Sequence, residues 1–337
     1  MLKDKIFNDV YRYIKENRKD FKIDLSQDFQ LEFLAQGEYN INFTIKDKAN
    51  KYVFRINTKS QLEIENQIRY EYNALKALEK SSVTPKVYFV DDSKLKLDYG
   101  ILIMEFLEGR PLQYKYDLEK AAHIFSKIHT LKIDETMREN FIIEKNLFAE
   151  RIKEAQRLLN EFFTSSLIDD KLKQFFNEFL DWAEKNSHKE KYFKDNKLHV
   201  INNTEVNSNN FIIGVDKSYL IDWEKPVISD PCQDITQFLA ITTTLWKADY
   251  ILSEEEKNNF FEFYIERTGY KDIKDRVYLY QPYLYLRALS WCAYAYLEYL
   301  KPDKEIKNED TFKKIKSYLD IDFMKKILKE NIDFENI

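Results

Sequence analysis

The spacing of apolar residues changes character once along this chain of 337 residues, and that change limits the folds open to it. Leu2, Ile6, Val10 and Ile14 recur every fourth residue, one face of an amphipathic helix that runs to about Lys19. Three short runs with strand character follow, at 30–34, 41–45 and 52–56, with a turn-like stretch at 35–40 between the first two. Helical spacing returns at Ile64, Ile68, Leu75 and Leu78 and stops at Thr84-Pro85, ahead of two more strand-like runs at 86–90 and 100–106. After Glu108-Gly109-Arg110-Pro111 the pattern is mostly helical, at 118–128, 147–163, 172–182 and from Asp234 onward. One compact β segment interrupts it, 211–213 and 219–221 joined by a turn near 214–218. The expected chain is therefore α+β, with its lobe boundary near 106–112: a mixed lobe over 1–105 and a largely helical one over 106–337.

Composition narrows the classes. A chain this long exceeds one small core, and 5 Gly and 6 Pro leave little for long flexible linkers. Hydrophobic residues at 44% and charged ones at 33% describe a globular chain rather than a disordered one. A net charge of −5 argues against a nucleic-acid partner, which usually meets a basic face. Cys232 and Cys292 lack CxxC spacing and only 4 His are present, which argues against structural zinc and fits a reducing, cytoplasmic setting. Met1-Leu2-Lys3-Asp4-Lys5 opens without the apolar run of a signal peptide, and no stretch approaches the ~20 apolar residues of a membrane helix.

The chemistry begins at Asn210 and Asp222. Each sits beside a short apolar strand, and a hairpin of those strands would bring an amide oxygen and a carboxylate together, suitable ligands for Mg²⁺. Taken alone, both also suit hairpin ends that cap backbone. Spacing tips the balance, because kinase-like enzymes carry a catalytic carboxylate five residues before a metal-binding Asn, and here that residue is Glu205. The ordered set continues with Asp222-Trp223-Glu224 and then Asp230-Pro231-Cys232-Gln233-Asp234.

In these motifs the chain resembles the aminoglycoside phosphotransferase and choline kinase family. That family carries His-Gly-Asp, four residues, Asn, then Ile-Asp-Trp-Glu, then Asp-Pro with a further Asp three residues after the Pro. The resemblance covers about residues 30–240. It implies a bilobal, protein-kinase-like fold: a small N-terminal nucleotide-binding lobe with an antiparallel sheet and one main helix, and a large helical lobe holding catalytic loop, metal site and acceptor site. It assigns Asn210 and Asp222 to the metal and Asp234 to bracing the catalytic loop. Arg55, in Tyr52-Val53-Phe54-Arg55-Ile56, would grip the α/β phosphates of ATP or GTP, which a guanidinium can do bidentately. Glu71 lies three residues from Ile68 and four from Leu75, on the apolar stripe, where a carboxylate needs a partner, and Arg55 is the natural one. Gln36-Gly37-Glu38-Tyr39-Asn40 would be the loop over the phosphates, with Gly37 its single glycine, and Glu105, Phe106 and Leu107 the hinge whose backbone meets the base. His129 matches a family position but reads as a buried, hydrogen-bonded structural residue.

The departures from the pattern are Asn203 for His, Thr204 for Gly and Glu205 for the catalytic Asp. Glu205 keeps the carboxylate on a side chain one methylene longer. Phosphoryl transfer depends mainly on positioning and metal electrostatics, yet a displacement near ~1 Å can cost ~10²-fold in rate. Two functions follow: a Mg²⁺-dependent kinase acting on a small-molecule hydroxyl, with aminoglycoside, choline-like and sugar-like acceptors all open, or a nucleotide-binding pseudokinase or regulatory protein. The aromatic helix pattern at 283–296 could meet an acceptor, a quaternary ammonium included, but reads first as helix-packing core.

Overall fold

A computed structural model describes residues 2–37, 39–48, 50–58, 64, 66–301 and 308–332, the side chains of 2–5 excepted. The residues pack into two compact units. The first unites 1–112 with 119–143 and 200–228. The second unites 113–118 with 144–199 and 229–337. The β segment at 200–228 thus belongs to the same compact unit as the N-terminal sheet.

The first unit opens on helix α1 (Leu2–Asn17), whose Ile6, Val10 and Ile14 are buried as their four-residue spacing requires. They join a core with Ile45, Phe54, Ile56, Ile101 and Ile103, the inner face of one sheet. That sheet is built from β1 (Gln30–Gln36), β2 (Asn40–Asp47), β3 (Asn50–Asn57), β4 (Val87–Asp91) and β5 (Gly100–Glu105), in the order β1-β2-β3-β5-β4 with every pairing antiparallel. Helix α2 (Gln67–Leu78) packs on β4 and β5 through Ile68, Leu75 and Leu78.

A second sheet joins β6 (Arg110–Pro111) to the hairpin β9 (Phe211–Ile213) and β10 (Ser218–Leu220), while α3 (Tyr114–His129), α4 (Glu135–Asn140), β7 (Ile142–Ile143) and β8 (Val200–Asn202) lie between them in sequence. A third sheet sets β11 (Val227–Ser229) between β7 and β8. His129 is buried, with its ring against Phe125.

The second unit is helical: α5 (Leu147–Thr164), α6 (Asp170–Asn186), α7 (Lys191–Asp195), α8 (Cys232–Leu239), α9 (Ile241–Lys247), α10 (Glu254–Thr268), α11 (Ile273–Leu300), α12 (Glu309–Tyr318) and α13 (Ile321–Leu328). Its spine is α11, which packs on α5 and α8. Tyr283 of α11 stacks on Phe148 with ring centroids 3.7 Å apart. Of the aromatic run at 283–296, Tyr283 and Tyr285 are core, Tyr296 is half-buried, and Trp291 and Tyr294 are exposed. Asp230 and Arg276 form a buried ion pair, and Arg276 also binds Asp272 and the carbonyl of Asn196, tying the start of α8 to α11. Asp234 is buried in the first turn of α8. Among the described residues no helix is long and apolar enough to cross a membrane.

Candidate functional site

The first unit gathers its charged side chains around Arg55. In β3 the stretch Val53–Ile56 is buried on both faces, so the Arg55 guanidinium has to find partners inside. It pairs with Glu71 on the inner face of α2, donates to Asn42 at 3.0 Å, and reaches Asp222 at 3.3 Å. Burial alone would lower the guanidinium's affinity for its proton, but Glu71, Asp222 and Glu224 outweigh that and raise it. Burial pushes the Glu71 carboxyl up to about 7, with Arg55 pulling the other way.

Asp222 follows β10 and takes a left-handed backbone, φ +64°, which Asp tolerates better than most side chains. The Asn210 carbonyl accepts from the amide of Ile221 at 2.8 Å, so the hairpin sets Asn210 beside the residue before Asp222. The Asn210 side-chain nitrogen donates to the Glu205 carbonyl at 2.6 Å. With its nitrogen committed, the amide presents its oxygen as the acceptor, which is the atom a hard cation requires.

Asn203 stands where the resemblance expects His, and it joins the two halves of this arrangement. Its amide nitrogen donates to the carbonyls of Ile221 at 3.3 Å and Asp222 at 3.1 Å, while its oxygen accepts from the amide of Glu205 at 2.9 Å. Thr204 occupies the expected Gly position with φ +68°, and its hydroxyl donates to the Lys225 carbonyl at 3.0 Å. The Glu205 carboxylate is 29% exposed and pairs with the ammonium of Lys225, whose side chain is only 7% exposed.

Two features of this site escaped the sequence. Glu224 belongs to the matched Asp-Trp-Glu motif, yet nothing in the spacing showed its partners. Its carboxylate accepts from Asn40, at the start of β2, and its carbonyl from Gln67, the first residue of α2. Burial raises the Glu224 carboxyl to about 7, and the negative charges of Asp222 and Glu71 add to that. Lys225 is the other. It follows Glu224 directly, and a lysine one residue past an acidic motif is a signal a reader could have used.

The remaining expected residues lie apart from this cluster. Glu105, Phe106 and Leu107 line a cavity of about 690 Å³ with Gly109, Ile213 and Tyr219. A Cβ at Gly109 would stand 2.7 Å from the Ile213 carbonyl oxygen, so only glycine lets 105–110 lie this close to β9. The Glu105 carboxylate accepts from the amide of Lys86 and fixes β4 beside the cavity. Gly37 is exposed, its amide bonded to the Asn40 carbonyl at 2.9 Å, and a Cβ there would meet that carbonyl oxygen at an ordinary 3.8 Å. Glu38 lies outside the described residues.

Glu71, Glu205, Asp222 and Glu224 face two cations, Arg55 and Lys225. With Glu71 and Glu224 raised to about 7, a divalent ion beside them would favour their charged forms. Among the described residues no three His, Cys, Asp or Glu side chains come close enough to hold a metal by themselves. That donor set fits Mg²⁺, which takes one or two protein oxygens and completes its shell with phosphates and water.

The arrangement defines a kinase-like phosphotransferase. Residues 30–273 match the model of the phosphotransferase enzyme family, and the chain belongs to that family. No curated protein matches its sequence. Similar solved structures include an ethanolamine kinase from Plasmodium vivax, 17% identical, with 95% of this chain and 90% of that one covered at a TM-score of 0.65. A choline kinase from Cryptosporidium parvum is also 17% identical, covering 95% and 96% at 0.62. A spectinomycin phosphotransferase, solved with ADP and spectinomycin, is 14% identical, covering 94% and 96% at 0.62. These likenesses establish the protein-kinase-like α+β fold. The protein is an enzyme of this phosphotransferase family.

Proposed function

We propose that this enzyme transfers the γ-phosphoryl group of ATP or GTP to a hydroxyl of a small molecule in the cytoplasm, with Mg²⁺ bound at Asn210 and Asp222. The observation that carries the reading is Arg55 held between Glu71 and Asp222, with Asn203 tying Asp222 to the Glu205–Asn210 loop.

In this reading Arg55, charged and oriented by Glu71, binds the α/β phosphates, and the backbone of Glu105, Phe106 and Leu107 meets the base in its cavity. Bound Mg²⁺ would neutralise negative charge on the phosphates. Asn40, anchored by Glu224, sets the β1–β2 loop with Gly37 over those phosphates. Glu205 accepts the acceptor's hydroxyl proton. In this reading the hinge, Glu105 to Leu107, begins where β5 ends. Small hydroxylated acceptors, of aminoglycoside, choline or ethanolamine type, suit the company the fold keeps, and their choice belongs to the helical segments.

A second reading, a nucleotide-binding protein that transfers nothing, draws support from one observation: Lys225 already engages the Glu205 carboxylate. A radiolabelled phosphate-transfer screen over aminoglycosides, amino alcohols and sugars separates the two. The kinase reading expects transfer to at least one acceptor, lowered ~10²–10⁴-fold in Glu205→Gln with nucleotide affinity kept. Asp222→Ala is expected to weaken Mg²⁺-dependent nucleotide binding by about tenfold or more, ~1.4 kcal/mol. Tight nucleotide binding with no transfer to any acceptor establishes the silent reading, and no nucleotide binding with Mg²⁺ present removes both.

A further inference from the structure

The kinase reading leaves the Lys225 ammonium, a charged group of the cluster, without a task. An ammonium this buried is costly unless it is paired, and its partner here is the carboxylate meant to meet the acceptor. Its backbone is fixed as well, because the Lys225 carbonyl accepts the hydroxyl of Thr204, the residue before Glu205. Glu205 carries one more rotatable bond than the Asp of the family pattern, so it has more freedom to lose in reaching one productive pose. Arg55 is committed on the other side of the site, between Glu71 and Asp222. Glu224 lies within electrostatic reach of both Glu205 and Asp222. A phosphoryl group arriving there meets carboxylates, and Lys225 is placed to offset them.

We propose that Lys225 takes part in transfer: its ammonium sets the Glu205 carboxylate for the acceptor hydroxyl and supplies positive charge on the acceptor side of the γ-phosphoryl group. This rests on the kinase reading. In the step it serves, the acceptor oxygen forms a bond to the γ phosphorus and the bond to the β,γ-bridging oxygen breaks. The nucleoside diphosphate leaves with that electron pair, and the hydroxyl proton passes to Glu205. A cation beside the incoming oxygen lowers the cost of the charge that gathers on the transferring group.

The test compares Lys225→Met, Lys225→Arg, Glu205→Gln and the Met/Gln double variant in the full chain. Calorimetry with Mg²⁺ uses ADP and a non-hydrolysable β,γ-imido ATP analogue, and needs no turnover. Lys225→Met is expected to bind ADP as the parent does and the analogue roughly tenfold more weakly, with kcat down roughly 10²-fold. Lys225→Arg is expected to recover most of both. The double variant should turn over no more slowly than the worse single one, because the two side chains act as a unit. Equal weakening of ADP and analogue, together with a lower melting temperature, means a structural ion pair only and overturns the proposal. So does a folded Lys225→Met with parental binding and rate. If Lys225→Met does not fold, Glu205→Gln decides: freed from its carboxylate, Lys225 should hold the analogue as tightly as before or more so, and weaker binding overturns the proposal. A parent that transfers to no acceptor removes the kinase reading, while the ADP-against-analogue difference still decides whether Lys225 meets the γ-phosphoryl group.

Discussion

Thr204 shows how much one backbone angle can ask of a side chain. At φ +68° a glycine would be free of strain, whereas a β-branched residue there costs ~1–3 kcal/mol. Its buried hydroxyl, bonded to the Lys225 carbonyl, offsets part of that cost. Thr204→Val keeps the shape and the strain but loses the bond, and should lower stability by ~1–3 kcal/mol in chemical denaturation. Thr204→Gly sheds strain and bond together and should stay close to the parent. A Thr204→Val protein as stable as the parent would mean that the hydroxyl holds nothing. Asn203 makes a related point, since a residue that breaks the family pattern hydrogen-bonds to Glu205, Ile221 and Asp222.

Among elements, the seating of α2 on the sheet sets the Glu71–Arg55 pair, and that seating depends on Gly100. A Cβ added at Gly100 would lie 2.5 Å from Cγ2 and 2.9 Å from Cβ of Ile68, a branched side chain with little room to move. Gly100 pairs with Asn57 in β3, two residues beyond Arg55, so a shift of α2 there reaches the site. Gly100→Ala is expected to destabilise by ~1–3 kcal/mol, measured by thermal unfolding, and to weaken nucleotide binding through a displaced Glu71. Unchanged stability would show that α2 is free to move away at no cost.

For the molecule as a whole, binding and stability are linked. A ligand that binds only the folded state stabilises it by ~2.7 kcal/mol at one hundred times its dissociation constant. Nucleotide with Mg²⁺ should therefore raise the melting temperature in proportion to the logarithm of its concentration, and a chelator added before the nucleotide should remove most of the rise. Asp222→Ala should show the small rise seen without metal even when Mg²⁺ is abundant. A rise that ignores both the chelator and Asp222→Ala would dissociate metal from nucleotide and remove Asn210 and Asp222 as its holders.

Local periodicity determined the elements. Residues spaced by four marked α1, helical spacing marked α2 although Ile64 falls before its start at Gln67, short apolar runs marked the five strands, and the position of Glu71 between Ile68 and Leu75 already put it on the face that meets Arg55. These are properties of neighbours in sequence, so the sequence alone sufficed. The contacts of Glu224 with Asn40 and of Arg55 with Asp222 span 184 and 167 positions, and no periodicity encodes such pairings. The tertiary structure alone brought Lys225 onto Glu205 and put the 200–228 segment in the unit of the N-terminal sheet, because packing and charge pairing between distant segments appear only when the chain has closed on itself.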